Sequence, residues 1–425
     1  MKLRLPQLAA VLYIIMFMQV PAIIDRDLYG EWDGKGSDSF SKVANLLLIA
    51  SCLILFSAGS RRIHSIRKGA TLAIGLGFFL ISSVIWSGNP SVTLTQGIIY
   101  LMVMIGAIGI ASSMHPDEFM KLLATICGLT ALISLILMVV SPGQVFTPDG
   151  DFRGVYSQKN VAGEAMAVGA LASLHGLRVS RRGRWSNWSI LILVTVVCVL
   201  SKSATSLTSI LVFCATDTGS AMLRKGGITR ILGICGALAF SVILVVSVVF
   251  PDLLFQVMGK DPTLTGRTDI WSYVIADIYQ KPFLGWGYNG FWTLANPAAL
   301  EIDSAVRWTV PQAHNGLLEI LLSVGVVGAA FFIYLLGRNI GNGLRCLRTP
   351  HRALAVTLLL CCLSVILTGI TESVLLVGAQ AATAVFFVTG LYCERALQLR
   401  QRRSIAAIPF GNLRQASSRM AEVAG

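Results

Sequence analysis

Four groups of residues in this chain have the types and spacing for chemistry. They are Arg153 with Lys159 and Asn160, Lys202 within Ser201-Lys202-Ser203, Arg267 between Gly266 and Thr268, and His314 with Asn315. Three of these groups stand where a predicted helix begins, and Arg267 lies in a long connection on the same side. A helix N-terminus carries unpaired N–H groups and partial positive charge, so it favours anions. Arginine adds a planar fork that grips phosphate at two points, and lysine adds a point charge. Histidine gives and takes a proton near neutral pH, and the helix dipole favours its uncharged ring. The chemistry this implies is binding of a multiply charged anion beside a group that moves a proton.

The elements that must position these residues are membrane helices. The chain has 425 residues, of which 55% are hydrophobic and 13% charged. Soluble domains carry about 25% charged residues. Long apolar runs recur from end to end, with no alternating pattern of the kind an outer-membrane barrel needs, so the fold class is all-α, a polytopic helical bundle. The hydropathy pattern predicts about twelve spans, at 7–24, 43–59, 70–86, 92–111, 119–141, 159–177, 188–201, 203–222, 230–250, 313–336, 353–372 and 374–393. Spans seven and eight must turn at Ser201-Lys202-Ser203; the alternative is one long tilted helix. The membrane domain is 1–394, with loop 251–312 inserted between spans nine and ten. The polar, basic segment 395–425 reads as a disordered tail.

Orientation follows from the basic residues. With the N-terminus inside, 24 of the 34 lysines and arginines fall on the inner side and 10 on the outer side. The inner-membrane bundle then has both termini in the cytoplasm and the four groups at the periplasmic face. The net charge of +13 mostly reflects that asymmetry; it suits anionic membrane lipid and is no argument for nucleic acid. The first span has a basic start but no small-residue cleavage site before Asp25, so it reads as an uncleaved anchor. The nine cysteines fall in spans or inner loops, with no disulfide framework and no metal-ligand spacing.

Within 251–312, Thr268-Asp269 starts a helical pattern through Ile270, Trp271, Val274, Ile275 and Ile278 that Pro282 ends. This predicts a short amphipathic helix lying at the outer interface. Arg267, just before it, is either a phosphate ligand or an interfacial anchor. The glycine–aromatic run 283–292 predicts turns with exposed ring faces, as interface anchors or as one side of a saccharide groove. His314 is a base or a capping residue, with no partner visible in the sequence. Glu164, Asp217, Glu319 and Glu372 lie in or at the ends of spans, where carboxylates are costly. They suit a proton relay or counter-ions to the basic cluster; Glu319, just over one turn past His314, reads as a counter-ion.

Taken in order, Arg153-Gly154 with Lys159-Asn160, Gly266-Arg267-Thr268 with Trp271, Pro282 with Gly285-Trp286-Gly287, and His314-Asn315 with Leu318-Glu319 and Gly325 resemble the O-antigen ligase and Wzy-type polymerase superfamily. The Arg153–Asn160 and Ser201–Ser206 segments are similar to the ExoQ-like exopolysaccharide polymerases. The resemblance implies a glycosyltransferase with a polyprenyl-diphosphate-linked oligosaccharide as donor. It implies metal-independent transfer with no cofactor, at the periplasmic face, with inversion at the anomeric carbon. His314 and Arg267 would be catalytic; Arg153, Lys159, Asn160, Lys202, Asn315, Glu319 and Trp271 would bind diphosphate or glycan. Ligases carry an arginine just after the Ser-x-Ser turn, where this chain has Ala204, and the nearest base is Lys202. Polymerase is the first reading, with a flippase and a chain-length regulator as expected partners. Transfer of finished glycan to lipid A core or another acceptor is the second. A transporter or flippase is the reading from another class, although no internal repeat of the kind such folds show is visible.

Overall fold

A computed structural model of the chain describes residues 4–20, 39–147, 150–225, 227–231, 267–373 and 380–406. Residues 232–250 of span nine, loop residues 251–266, the start of span twelve and tail residues 407–425 therefore lie outside the described residues. Regular structure among the described residues is helical; one isolated bridge pairs Phe146 with Phe152. The helices are α1 (Leu5–Phe17), α2 (Ser39–Gly59), α3 (Arg67–Ser82), α4 (Pro90–Ser113), α5 (Pro116–Val140), α6 (Lys159–Val179), α7 (Arg184–Leu200), α8 (Ala204–Lys225), α9 (Arg267–Gln280), α10 (Pro297–Val306), α11 (Gly316–Cys346), α12 (Arg352–Thr371) and α13 (Ala381–Ala406). Five described segments are long and apolar enough to cross a membrane: Val43–Ile85, Pro90–Ser113, Pro116–Val140, Gly316–Cys346 and Arg352–Ile370. The first holds both α2 and α3, divided by the 3₁₀ turn Ser60–Ile66.

Local sequence sets the starts of several helices. Proline at the first helical position lacks only an N–H that a helix start leaves unpaired anyway, and a polar residue before it accepts from the first turn. Asn89 before Pro90 accepts from Val92 N–H, His115 before Pro116 from Asp117 N–H, and Asn296 before Pro297 from Ala298 N–H. The chain does turn between α7 and α8: Lys202 has φ +54°, a left-handed value that ends one helix before the next begins.

The bundle has two chemically different ends. At one, Arg178 Nε donates to Asp217 at 2.7 Å, Arg338 to Glu394 at 2.6 Å, and Arg395 to the carbonyls of Ala111 and Met114. That anchorage carries α13 as helix through Ala406, into the segment that composition assigned to a disordered tail. At the other end the starts of α6, α8, α11 and α13 meet the end of α12.

α11 is broken at Gly325, where φ is +65° and ψ −167°. The break is filled from outside the helix. Leu322 O and Ser323 O accept from Trp286 N–H and Gly287 N–H at 2.8 and 2.9 Å, while Val326 N–H and Val327 N–H donate to Pro282 O and Phe283 O at 2.9 and 3.2 Å. An inserted loop thus supplies the partners that the helix itself would have supplied, as buried peptide groups require. The same loop is tied to the α3–α4 turn by Trp86 Nε1–H donating to Leu284 O at 2.9 Å and Tyr288 N–H donating to Ser83 Oγ at 2.9 Å. A Cβ on Gly325 would lie 2.3 Å from Phe283 C and O. Gly325→Ala is expected to lower stability by more than the about 1–3 kcal/mol of backbone strain alone. The check is thermal unfolding of the purified protein in detergent; an unchanged midpoint would contradict this account of the break.

Packing bears on two expectations for the segment 251–312. α9 does not turn its apolar face to the interface alone: Ile270 and Val274 are buried with Phe291, Ala299, Ile302 and Val310 in a small second core. The glycine–aromatic run does not present all its rings to solvent either. Tyr288 and Phe291 are fully buried, and Phe283 is the ring left exposed. Gly285 serves close approach to α11, while Gly287 and Gly290 serve close approach to Ser87 in the α3–α4 turn, which a local reading of turns does not reveal.

Candidate functional site

The site is built around the peptide turn that enters α11. His314 has φ +50°, a left-handed conformation uncommon outside glycine and asparagine. Both peptide groups of the preceding residue are held by side chains. Glu319 Oε2 accepts from Ala313 N–H at 2.7 Å, and Trp271 Nε1–H donates to Ala313 O at 2.9 Å. Asn315 caps α11 by accepting from Leu317 N–H and Leu318 N–H, both at 3.1 Å, and donates to Ile370 O. Glu319 is 2% exposed and also receives the Trp292 indole N–H at 3.0 Å. The clamp holds His314 in one orientation, with three different elements contributing.

The carboxylate that reaches His314 is that of Glu372, at the C-terminal end of α12. Its Oε2 lies 3.4 Å from His314 Nδ1 and 3.5 Å from Gln312 Nε2, and its Oε1 accepts from Asn160 Nδ2 at 3.1 Å. A proton on Nδ1 donates to Glu372, and an unprotonated Nδ1 accepts from Gln312 Nε2 at 3.5 Å; Nε2 points away from both. The contacts of Glu372 Oε2 are at the long end of hydrogen-bond distance. Glu319 accepts from Ala313 and Trp292, and the carboxylate in contact with the His314 ring is that of Glu372. Sequence reading singled out Glu372 only as one of several acids near span ends. Its distance of 58 residues from His314 hides the pairing.

The basic residues divide into several environments. Lys159 opens α6 and pairs with Asp151 Oδ2 at 2.6 Å, so part of its charge is already answered. Arg153 sits in the turn before α6, where its backbone N–H donates to Val145 O; its buried Nε has no hydrogen-bond partner. Lys202 is exposed at the α7–α8 turn, and its neighbour Ser203 lines the same cavity as Asn160 and Glu372. Arg267 is the first residue of α9, and its side chain lies outside the described residues. The structure therefore gathers Trp271, His314, Asn315 and Glu319 into one clamp and joins Asn160 to it through Glu372. Arg153 and Lys159 stand in the adjoining turn.

Residues 189–333 match the family described as O-antigen ligase. That stretch contains Lys202, Arg267, Trp271, His314, Asn315 and Glu319; Arg153, Lys159, Asn160 and Glu372 fall outside it. The chain is 25% identical over 267 residues to the exopolysaccharide production protein ExoQ of Rhizobium meliloti, a match covering 59% of this chain and 60% of that protein. It is 27% identical over 127 residues to a "Putative polysaccharide ligase" of Rickettsia felis, covering 26% of this chain and 31% of that one. The chain thus spans less than two thirds of these relatives' lengths.

Proposed function

From a stretch that matches the O-antigen ligase family and holds a clamped histidine, we infer that this protein is a glycosyltransferase of the inner membrane. It joins polyprenyl-diphosphate-linked oligosaccharide repeat units into an exopolysaccharide at the periplasmic face. The observation that carries the reading is His314, fixed in a left-handed turn with Glu372 at its Nδ1.

In this reading Nε2 of His314 takes the proton of an acceptor sugar hydroxyl. The hydroxyl oxygen bonds to the anomeric carbon of the donor, the bond from that carbon to the diphosphate oxygen breaks, and its electron pair leaves with the lipid diphosphate. Attack opposite the leaving group inverts the anomeric centre. Glu372 steadies the imidazolium that forms, in the way a carboxylate orients a catalytic histidine elsewhere. Arg267, Arg153 and Lys202 carry the developing charge on the departing diphosphate. Lys159 contributes less, because Asp151 already faces it. Asn160 holds Glu372, and Trp271, Asn315 and Glu319 hold the turn that carries His314.

The asymmetry of 24 basic residues against 10 favours a periplasmic site and cytoplasmic termini. A reporter fused at Asn296 is expected to be active only outside the cytoplasm; activity confined to the cytoplasm would overturn the orientation and the site with it.

Ligase is the second reading, favoured by the similarity to the Rickettsia polysaccharide ligase. Deleting the gene and sizing the glycan separates the readings. Single lipid-linked repeat units accumulating outside are expected for a lost polymerase. Intact lipid-linked polymer would identify a ligase, and units retained on the cytoplasmic side would point to a flippase.

A further inference from the structure

Trp308 stands in the short connection between α10 and His314, and two anchors fix it there. α10 closes at Arg307, which is left-handed (φ +65°) and donates its N–H to Asp303 O at 2.8 Å. The Asp303 side chain reaches past the turn, and its Oδ1 accepts from Val310 N–H at 2.8 Å. Val310 is buried in the second core, and Pro311 fixes φ one residue later. Trp308 and Thr309 therefore project between two fixed points, and both are exposed. Arg307 and His314 are both left-handed residues other than glycine. Strained backbone thus brackets the segment, as it does at many ligand sites.

Other aromatic side chains at this end serve the fold. Trp271, Trp286 and Trp292 donate their indole N–H groups to Ala313 O, Asp277 O and the Glu319 carboxylate, and Trp86 donates to Leu284 O. Phe291 packs edge-on against Trp286 and Trp292, and Lys281 Nζ lies 3.9 Å over the Trp286 ring. Phe283 is exposed, but its backbone meets Gly325, roughly 13 Å along α11 from the helix start. Trp308 is placed differently. Its ring is 42% exposed, and its centroid lies 6.2 Å from that of the His314 ring, with the two planes inclined at 41°. An inclined pair at that separation is not face-stacked, so much of the indole surface stays open beside the imidazole.

In the glycosyl-transfer reading, His314 takes the proton of an acceptor hydroxyl, which must come within about 3 Å of a ring nitrogen. The sugar ring that bears this hydroxyl then sits next to the imidazole, where the indole also stands. A pyranose is polar around its rim and apolar on the face where axial C–H bonds point. A flat indole buries that face without competing for the rim hydroxyls, and the burial is favourable. We propose that Trp308 is the platform on which the acceptor sugar stacks by its C–H face, which orients the attacking hydroxyl toward His314. The proposal rests on the glycosyl-transfer reading above and adds the residue that holds its acceptor. The rigid turn from Arg307 to Val310 keeps the ring in place before the sugar arrives, so little order is lost on binding.

The test uses the purified full chain in lipid nanodiscs. The donor is the lipid-linked oligosaccharide fraction of a host strain lacking the gene, held at fixed concentration. The acceptor probe is the oligosaccharide released from that fraction by mild acid and labelled at its reducing end. Trp308→Ala is expected to raise the acceptor KM about tenfold, through loss of one ring's burial, with kcat within about twofold of the unmodified value. Trp308→Phe, which keeps a flat ring, should recover most of the loss, and Trp308→Leu, apolar but not flat, should not. Saturation-transfer NMR on the same preparation reads acceptor binding without turnover. Saturation should concentrate on the C–H protons of one sugar face and fall in Trp308→Ala. An unchanged acceptor KM or a fall in kcat alone would overturn the platform. A leucine variant as good as the phenylalanine one would also overturn it and make Trp308 a membrane-interface anchor. The phenylalanine and leucine pair carries the test should Trp308→Ala fail to fold. Absence of transfer by the unmodified protein would refute the enzyme reading. The NMR contrast judges the platform separately, and an equal acceptor signal with and without the Trp308 ring would overturn it.

Discussion

His314→Ala is expected to stop glycan extension while leaving lipid-linked donor binding in place. Removing a general base typically costs about 10²–10⁴ in rate. The side chain meets Glu372 and Gln312 through its polar atoms and Trp308 through its ring, so the substitution removes both kinds of contact at once. The clamp on Ala313 comes from Glu319 and Trp271, and both survive the change. The measurement is extension of a short acceptor in purified membranes, alongside donor binding. Normal extension would remove His314 from the mechanism, and loss of donor binding would move it to the diphosphate site. Alanine, which also carries a Cβ, keeps the strain of the left-handed turn, so a stability change alone is not the readout.

Arg267→Lys is the second large effect, with an expected fall of about 10²–10³ in rate. Lysine keeps the positive charge but loses the two-point grip that a guanidinium offers a diphosphate. The residue opens α9, whose free N–H groups favour the same anion. Folding should be unaffected, because α9 is fixed by Ile270 and Val274 in the second core and by the Trp271 indole. Extension at the unmodified rate would make Arg267 an interfacial anchor only. A melting point well below that of the unmodified protein would instead assign it a role in holding the loop.

The residues legible as chemical were those whose local context was enough. His314-Asn315 reads as a helix start, and Asn315 does cap α11. Thr268-Asp269 before an apolar pattern reads as a helix, and α9 spans Arg267–Gln280. Ser201-Lys202-Ser203 reads as a turn between two apolar runs, and φ +54° at Lys202 makes that turn. Family resemblance over the middle of the chain was legible for the same reason, since its motifs are short and contiguous. Partnerships were not. Glu319 is close to His314 in sequence, yet a helix that begins at Gly316 lets its carboxylate fold back to Ala313. Glu372 reaches His314 only because α12 ends beside the start of α11.

The amino-acid order by itself determined that this chain is a helical membrane protein, where most helices start, and which residues carry usable charge and a usable proton. Those properties follow from hydropathy, capping and side-chain type, which act within a few residues. Only the tertiary structure decided that α11 breaks at Gly325 and takes its missing hydrogen bonds from 282–287. A glycine in an apolar helical pattern looks like any tolerated small residue until another segment's peptide groups arrive to fill the gap. Packing likewise decided which carboxylate serves the histidine and that, among the described residues, Glu164 and Glu372 line the cavity beside it. Both depend on helix ends brought together from distant parts of the chain, where burial leaves each polar group to find its partner in space.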